Sequence, residues 1–426
     1  MNVKVYEIKT PILSTHKNIE FKCRLFSIDI VSLSFLFVIG SQAMTLFVDN
    51  NVSLIFRGIQ LFIYILMGIN IIVTNNLSKL ILVVGSIVLL IAGTYIVYPY
   101  NRPALMELSS SMVLQGFYFI IGYSIDDEKK AVDTLKWGSF IALGYMIYGI
   151  FIRGGESLNN YDIVSSGLYW IVLVFLLISK KKIKYKYILF GISFLLMLIY
   201  GRRSHIIYVG LIIVILLFRS WAQSKIKKRL IYLFVIIVLI VCVALSYRTV
   251  LDIVINIMDS CAINSRTLVM IKYGEFSDLN GRRELFGLAW QMITEKPFCG
   301  HGIGSTMVRW ASTHPNMSNY AGCNTHNSIL EIGAEFGVIG MILFVFTNCF
   351  LIKNIITWEL NENQLILIML LVGTGLISVM VGSSYLNITQ YALFIGYYIK
   401  LKKKNKLQKR FKRYYTIKER NPANGE

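Results

Sequence analysis

Charge is scarce along this chain, and acidic charge is scarcer still. Of 426 residues 15% are charged and 55% are hydrophobic, and 23 Asp and Glu face 43 Lys and Arg. So apolar a composition excludes a soluble domain, because many runs reach the roughly 20 residues that cross a hydrocarbon core as helix. The runs also lack the alternation, over about 10 residues, of barrel strands, which leaves helices to pair every backbone group in lipid. No small-residue cleavage site follows the leader that carries Lys4, Lys9, Lys17, Lys22 and Arg24, so the N-terminus reads as a cytoplasmic leader and not a signal peptide. None of the six cysteines forms a CxxC pair, which argues against a metal cluster. P-loop, HExxH and GxGxxG patterns are lacking too, so neither ATP-driven nor zinc chemistry is expected, and no metal or cofactor is assigned. No internal repeat is visible.

What is there is a series of apolar runs near 27–47, 52–73, 77–98, 104–124, 137–152, 163–179, 186–200, 204–219, 229–247, 326–352, 363–382 and 385–400. They predict an all-α, polytopic transmembrane protein of about 12 spans. Its parts are an N-terminus over 1–26, spans 1–9 over 27–247, a long loop over 248–325, spans 10–12 over 326–400 and a basic tail over 401–426. Lys and Arg gather in alternate breaks, Lys180 to Lys186 and Lys225 to Arg229, and in the tail from Lys400 to Arg420. By positive-inside bias these breaks and both termini are cytoplasmic, and the long loop faces outward. The same bias accounts for the net charge of +20 without nucleic acid.

The long loop is nearly charge-balanced, as a translocated segment tolerates. Within it Leu285, Leu288, Ala289, Met292 and Ile293 have helical spacing, and Pro297 with Gly300-His301-Gly302-Ile303-Gly304 ends the pattern. The expectation is a short amphipathic helix lying on the membrane, then a descent into the next span. Cys261, Cys299 and Cys323 share this loop; either Cys299 and Cys323 pair, or all three thiols stay free.

Arginines on the outward breaks run against the positive-inside bias and need a reason. Arg57, Arg102, Arg153, Arg202, Arg203 and Arg282 are such residues, and guanidinium forks match phosphate oxygens. They predict a site for a phosphorylated ligand, Arg203 and Arg282 foremost, with snorkelling to headgroups as the alternative. His326 stands where a span begins, suited either to activating a sugar hydroxyl or to capping the helix. Glu331 and Glu335 lie inside that span, where an arginine at the same depth is the expected partner, and Gly333, Gly337 and Gly340 permit close helix packing. Asp126-Asp127-Glu128 reads as a solvated charge run.

GRRELFGLAWQMITEKPFCGHGIG (Gly281 to Gly304) followed by THNSILEIGAEFGVIG (Thr325 to Gly340) resembles the O-antigen polymerase and O-antigen ligase family of bacterial envelope proteins. GRRSHIIYVG (Gly201 to Gly210) resembles the arginine that opens a mid-chain span there. The resemblance implies a membrane glycosyltransferase with a GT-C-like fold, a catalytic His326, and Arg203 and Arg282 on the diphosphate of a polyprenyl-linked saccharide. Because Arg202 and Arg283 adjoin them, either member of each pair can be the matching one; Asn327, Arg57 and Glu331 are supporting candidates. Phe286 stands where tryptophan is commoner in the family.

Implied further are a polyprenyl-diphosphate-linked oligosaccharide donor and acceptor, membrane lipids as surroundings, and a chain-length regulator and flippase as partners. The expected activity is a metal-independent, inverting polysaccharide polymerase at the outer face of the bacterial cytoplasmic (inner) membrane, building O-antigen, capsule or exopolysaccharide from undecaprenyl-diphosphate-type donors. Two alternatives stay open: a ligase that moves the glycan to a lipid A core, as in lipopolysaccharide, and a lipid-linked oligosaccharide flippase. The clustering of polar residues in one asymmetric loop, without internal repeats, counts against transport.

Overall fold

The computed structural model describes residues 65, 68, 76–152, 161–179, 182–224, 249, 252–253, 255–256, 282–314, 320, 323 and 325–420. Every regular element among them is a helix. In chain order these are α1 (Leu77–Val97), α2 (Arg102–Ser124), α3 (Glu128–Ile152), α4 (Tyr161–Leu177), α5 (Lys186–Tyr200) and α6 (Arg203–Gln223). Then come α7 (Arg282–Glu295), α8 (Ser305–Thr313), α9 (Ser328–Thr357), α10 (Glu362–Leu371), a π-helical segment (Val372–Ile377), α11 (Ser378–Val381) and α12 (Thr389–Arg420).

Five helices among the described residues are long and apolar enough to cross a membrane: Leu77–Val97, Pro99–Ser124, Ser204–Gln223, Ser328–Thr357 and Glu362–Val381. Shorter apolar helices occur at Ser166–Leu177 and Lys186–Tyr200; of the two shortest-looking runs, 186–200 stays short, whereas 204–219 is extended by its flank to Ser204–Gln223. Of the spans expected from the sequence, 27–47 and 229–247 lie outside the described residues, as do almost all of 52–73 and its Arg57.

The bundle is built around α4 and α10. Leu168 to Phe175 and Ile366 to Leu371 are buried throughout, whereas α1 presents Ile81, Leu82, Leu89 and Ile96 outward. An apolar helix flank of this kind calls for lipid against it. α2 and α12 approach so closely that a Cβ at Gly122 would lie 2.2 Å from Leu393 O, and one at Gly396 would lie 2.0 Å from Phe119 O. Small residues allow this contact where lipid removes the hydrophobic drive between helices.

The two ends of the bundle differ in chemistry. At one end Asp126 pairs with Lys400, Glu128 pairs with Lys404 at 3.0 Å and accepts from Gln364 at 3.1 Å, and Lys182 reaches Glu362 at 3.9 Å. The acidic run is therefore tied to α12 and α10, where the sequence suggested free solvation. Near this end the buried Arg219 of α6 donates to the carbonyls of Ile355, Ile356 and Trp358, completing the C-terminus of α9.

The other end is organised by a break in α9. Gly337 has φ 76° and ψ −178°, a backbone region open essentially to glycine. The strand of chain between α7 and α8 enters the gap: Val338 N donates to Pro297 O at 2.7 Å, His301 N to Ala334 O at 3.0 Å and Gly302 N to Glu335 O at 2.9 Å. Gly300, Gly302 and Gly304 all have positive φ, and a Cβ at Gly300 would sit 2.3 Å from the Glu335 carbonyl. α7 consequently turns its apolar face to the protein, with Ala289, Met292 and Ile293 packed on Ala334 and Ile293 seated over Gly333. This replaces the expected resting of that face on the membrane; Gly333 admits Ile293 of α7 and Gly337 the backbone of Pro297 and Phe298, where a neighbouring span was expected. Cys299 is exposed and Cys323 buried, and neither is in a disulfide, so the bridge considered for them does not form; Cys261 lies outside the described residues.

Gly337→Ala is expected to destabilise the protein by about 1–3 kcal/mol from backbone strain alone, and further because its Cβ would lie 2.5 Å from Pro297 O. Thermal unfolding in detergent measures it; an unchanged midpoint would mean the loop is not spliced into α9.

Candidate functional site

At the end of the bundle where α4, α6 and α9 begin, a cavity of about 280 Å³ opens. This is near the lower bound, about 300 Å³, of small-molecule sites. α4 supplies Ser166, Tyr169 and Trp170, and the start of α6 supplies Ser204, His205 and Tyr208. Thr374 of the π-helical segment and Ser378 of α11 face them, and Gly382, Ser383, Asn387 and Gln390 close the side. Arg202 and Arg282 contribute the charge, and no carboxylate is among the described lining residues. Both guanidiniums act electrostatically on the Tyr208 hydroxyl, although they stand far apart in sequence.

The wall is held from behind. Gln115 of α2 donates to Tyr385 O (3.0 Å) and Leu386 O (2.6 Å), Ser111 to Leu386 O (3.1 Å), and Ser328 Oγ to Ser383 O (2.8 Å). A π-helical turn often marks a functional site, because its extra residue displaces side chains from the regular ladder. Gly382 is required here, since a Cβ would lie 1.7 Å from the Tyr208 hydroxyl oxygen.

The sequence candidates are distributed unequally around this cavity. Of the two pairs, Arg202 and Arg282 line it; Arg283 is exposed, and Arg203 opens α6 with a side chain outside the described residues. Arg102 is turned away, donating to Tyr95 O at 3.2 Å with its guanidinium over the Tyr95 ring. Arg57 and Arg153 lie outside the described residues. His326 does not line the cavity but is half-buried two residues before Ser328, whose hydroxyl holds the cavity wall. Its backbone has φ 52°, a left-handed conformation uncommon outside glycine.

His326 is not the helix cap. Asn327 is, its Oδ1 accepting from Ile329 N at 3.0 Å and Leu330 N at 3.3 Å. Glu331 and Glu335 are fully buried, but their partners are not the arginine expected. Glu331 accepts from Ser384 Oγ at 2.8 Å, and Glu335 accepts from Gly304 N at 2.7 Å and from the Tyr385 hydroxyl. The carboxylates thus fasten the glycine turn and the 383–387 loop to α9.

Outside the spans, Arg309 holds Glu295 down at about 2 through a charged hydrogen bond, with Oε1 2.7 Å from Nη2. His301 is lowered from its ordinary value, chiefly by burial, although its Nε2 lies 3.1 Å from Met292 O and the Glu295 carboxylate 3.6 Å away pulls upward. Both folded values lie below the unfolded ones, so the folded protein binds fewer protons. Stability from this corner is complete above about pH 6.5 and declines with acidification, first through His301 and then toward Glu295.

His205, Tyr169 and Trp170 are the site residues that sequence reasoning missed. Their signal was present: Ser166, Tyr169 and Trp170 on one helix and Ser204, His205 and Tyr208 on another are polar-tipped residues at three- and four-residue spacing within apolar runs.

A family model described as O-antigen ligase matches residues 168–345, in agreement with the resemblance carried by the motifs. No curated protein matches the chain. The matched stretch runs from α4 into α9 and contains both lining arginines and His326. It supports a multi-pass membrane enzyme of the O-antigen ligase or polymerase type.

Asn327→Ala is expected to lower unfolding stability by about 1 kcal/mol and Asn327→Ser to restore most of it; equal stability of all three proteins would dismiss the cap. His301→Gln should flatten the melting-temperature profile between about pH 7 and pH 5, and a profile parallel to the wild type's would remove His301 from that dependence.

Proposed function

We propose that the chain is a polysaccharide polymerase that joins polyprenyl-diphosphate-linked repeat units at the outer face of the bacterial cytoplasmic membrane, on a GT-C-like scaffold. The observation that carries the reading is the convergence of Arg202 and Arg282 on one cavity, with no carboxylate among its described lining residues, whose wall is hydrogen-bonded to the opening of the His326 helix. Two guanidiniums suit a diphosphate, and they are worth most where water is excluded and a leaving group gathers charge.

The chemistry is a single displacement. An acceptor hydroxyl oxygen attacks the anomeric carbon, the bond from that carbon to the diphosphate oxygen breaks, and the electron pair leaves on the diphosphate held by the arginines. The hydroxyl proton passes to His326, whose ordinary range near neutrality suits a general base. Inversion at the anomeric carbon follows. Donor activation is stored in the lipid diphosphate, so no nucleotide is needed outside the membrane.

A ligase would use the same cavity and donor, and differ only in its acceptor. A purified enzyme given lipid-linked repeat units alone distinguishes them: a ladder of lengthening products supports polymerisation, and transfer only after a lipid A core acceptor is added supports ligation. Movement of the lipid across vesicles with neither product would replace both readings with transport.

His326→Ala is expected to abolish elongation with insertion and expression intact. Arg202→Ala and Arg282→Ala should each reduce donor use by at least about tenfold, the range of a lost charge-assisted bond, while Arg283→Ala and Lys296→Ala stay near wild type. Wild-type ladders from the histidine variant, or equal losses from all four cation variants, would overturn these assignments.

A further inference from the structure

α7 has two flanks of opposite character on either side of its buried row, Leu285, Ala289, Met292 and Ile293. Phe286 and Trp290, four residues apart, share one flank, and Glu284, Gln291 and Glu295 share the other. The polar flank is turned to α8, whose Arg309 reaches Glu295 Oε1 at 2.7 Å. The aromatic flank is open. Trp290 is 57% exposed, and just beyond the helix Phe298 is 74% exposed.

Exposed rings of this size call for a partner, and the helix alongside shows which one. Past its break α9 carries Ile339, Ile342, Leu343, Phe346 and Phe350 along one exposed face, the lipid stripe of a membrane-spanning helix. Phe298 adjoins the head of that stripe, since a Cβ at Gly337 would stand 2.7 Å from Phe298 O.

Two lengths agree on where the lipid-length helices end. α9 has 30 residues, more than a hydrocarbon core takes, and the part beyond the break, 338–357, matches the roughly 20 that suffice. α6 runs beside α9 and is level with it at Arg219, which bonds the carbonyls of Ile355 and Trp358. From Arg219 back to the start of α6 at Arg203 is about 24 Å of helix, and the same length measured back from Ile355 reaches Ile339, beside the break. Both measures end at Gly337 on α9 and at Arg203 on α6, and Phe298 stands at that level. Ile293 lies over Gly333 and Val338 N bonds Pro297 O, so α7 runs along α9 toward the break and Trp290 stands short of it.

We infer that the Phe286 and Trp290 flank of α7, with the Phe298 turn, is an interfacial anchor whose partner is the bilayer, Phe298 at the acyl boundary and Trp290 among the headgroups. An indole combines an apolar body with an N–H donor, which suits headgroup level, whereas a phenyl ring gains only by leaving water. The buried row of α7 packs on protein, so the anchor is the row beside it. Its consequence is depth. Arg202 adjoins the start of α6 and Arg282 opens α7, so the anchor sets the cavity they line at headgroup height. The bilayer contact stands whatever ligand that cavity takes.

The test is fluorescence quenching of the purified full chain in phosphatidylcholine nanodiscs, with bromine on shallow or on deep acyl carbons. Trp290 is read as the difference between wild type and Trp290→Phe, and the turn as the difference between Phe298→Trp and wild type. Both signals are expected to lose intensity to bromolipid and to resist aqueous iodide, with shallow bromines the more effective, as for groups about 5–10 Å into the headgroup and acyl boundary. Gln291→Trp, one residue on but on the polar flank, should show the reverse, a loss to iodide and none to bromolipid. Iodide quenching at 290 and 298 equal to that at 291 overturns the anchor. Protection from both quenchers overturns it too, because it marks a protein cover such as a second copy of the chain. Bromolipid quenching at 298 without any at 290 removes the α7 flank from the bilayer and overturns the anchor as stated.

Discussion

The end of this molecule that carries the 297–304 turn depends on the splice at Gly337. A membrane helix normally satisfies its own backbone, since lipid offers no replacement partner. α9 gives up that self-sufficiency for one turn and takes its bonds from the Pro297 to Gly302 chain instead. The exchange is possible only because the inserted segment carries glycines with positive φ and the helix carries one at the break. An irregular backbone at such a depth is tolerated where protein, and not lipid, surrounds it.

From this splice the geometry of the candidate site follows. The inserted turn sets where α7 ends, so α7 lies along α9 and its first residue, Arg282, is carried to the cavity. Glu335, beside the break, fastens the same turn through Gly304 N and the next loop through Tyr385. Glu331, one turn earlier, fastens Ser384. Two carboxylates buried in a span would be a liability if isolated. Here each holds an irregular segment against α9, and those segments form or support the cavity wall.

Much of this was legible in the sequence. The apolar runs announce the helices, Pro297 and the Gly300 to Gly304 pattern announce the turn, and Leu285 to Ile293 announces α7. The motifs around Arg282 and His326 also point to the family whose model matches residues 168–345. Less legible was what each polar group meets. An acid in a span suggests an arginine, but hydroxyls and backbone N–H groups serve it here; adjacent arginines look alike until one helix start turns Arg202 inward. His205, Tyr169 and Trp170 escaped notice because their polar tips, although spaced to share a helix face, sit in apolar runs whose aromatic residues read first as core.

Sequence by itself determined that this is an all-helical membrane protein and which residues are candidates for its chemistry, because hydrophobic runs, glycine punctuation and charge placement are local properties of the chain. Only the tertiary structure decided which of those residues share a cavity. Arg202 and Arg282, and Trp170 and Asn387, are brought together by helix packing and by the splice into α9. Such meetings depend on where a helix breaks and which neighbour fills the gap, and no local pattern encodes them.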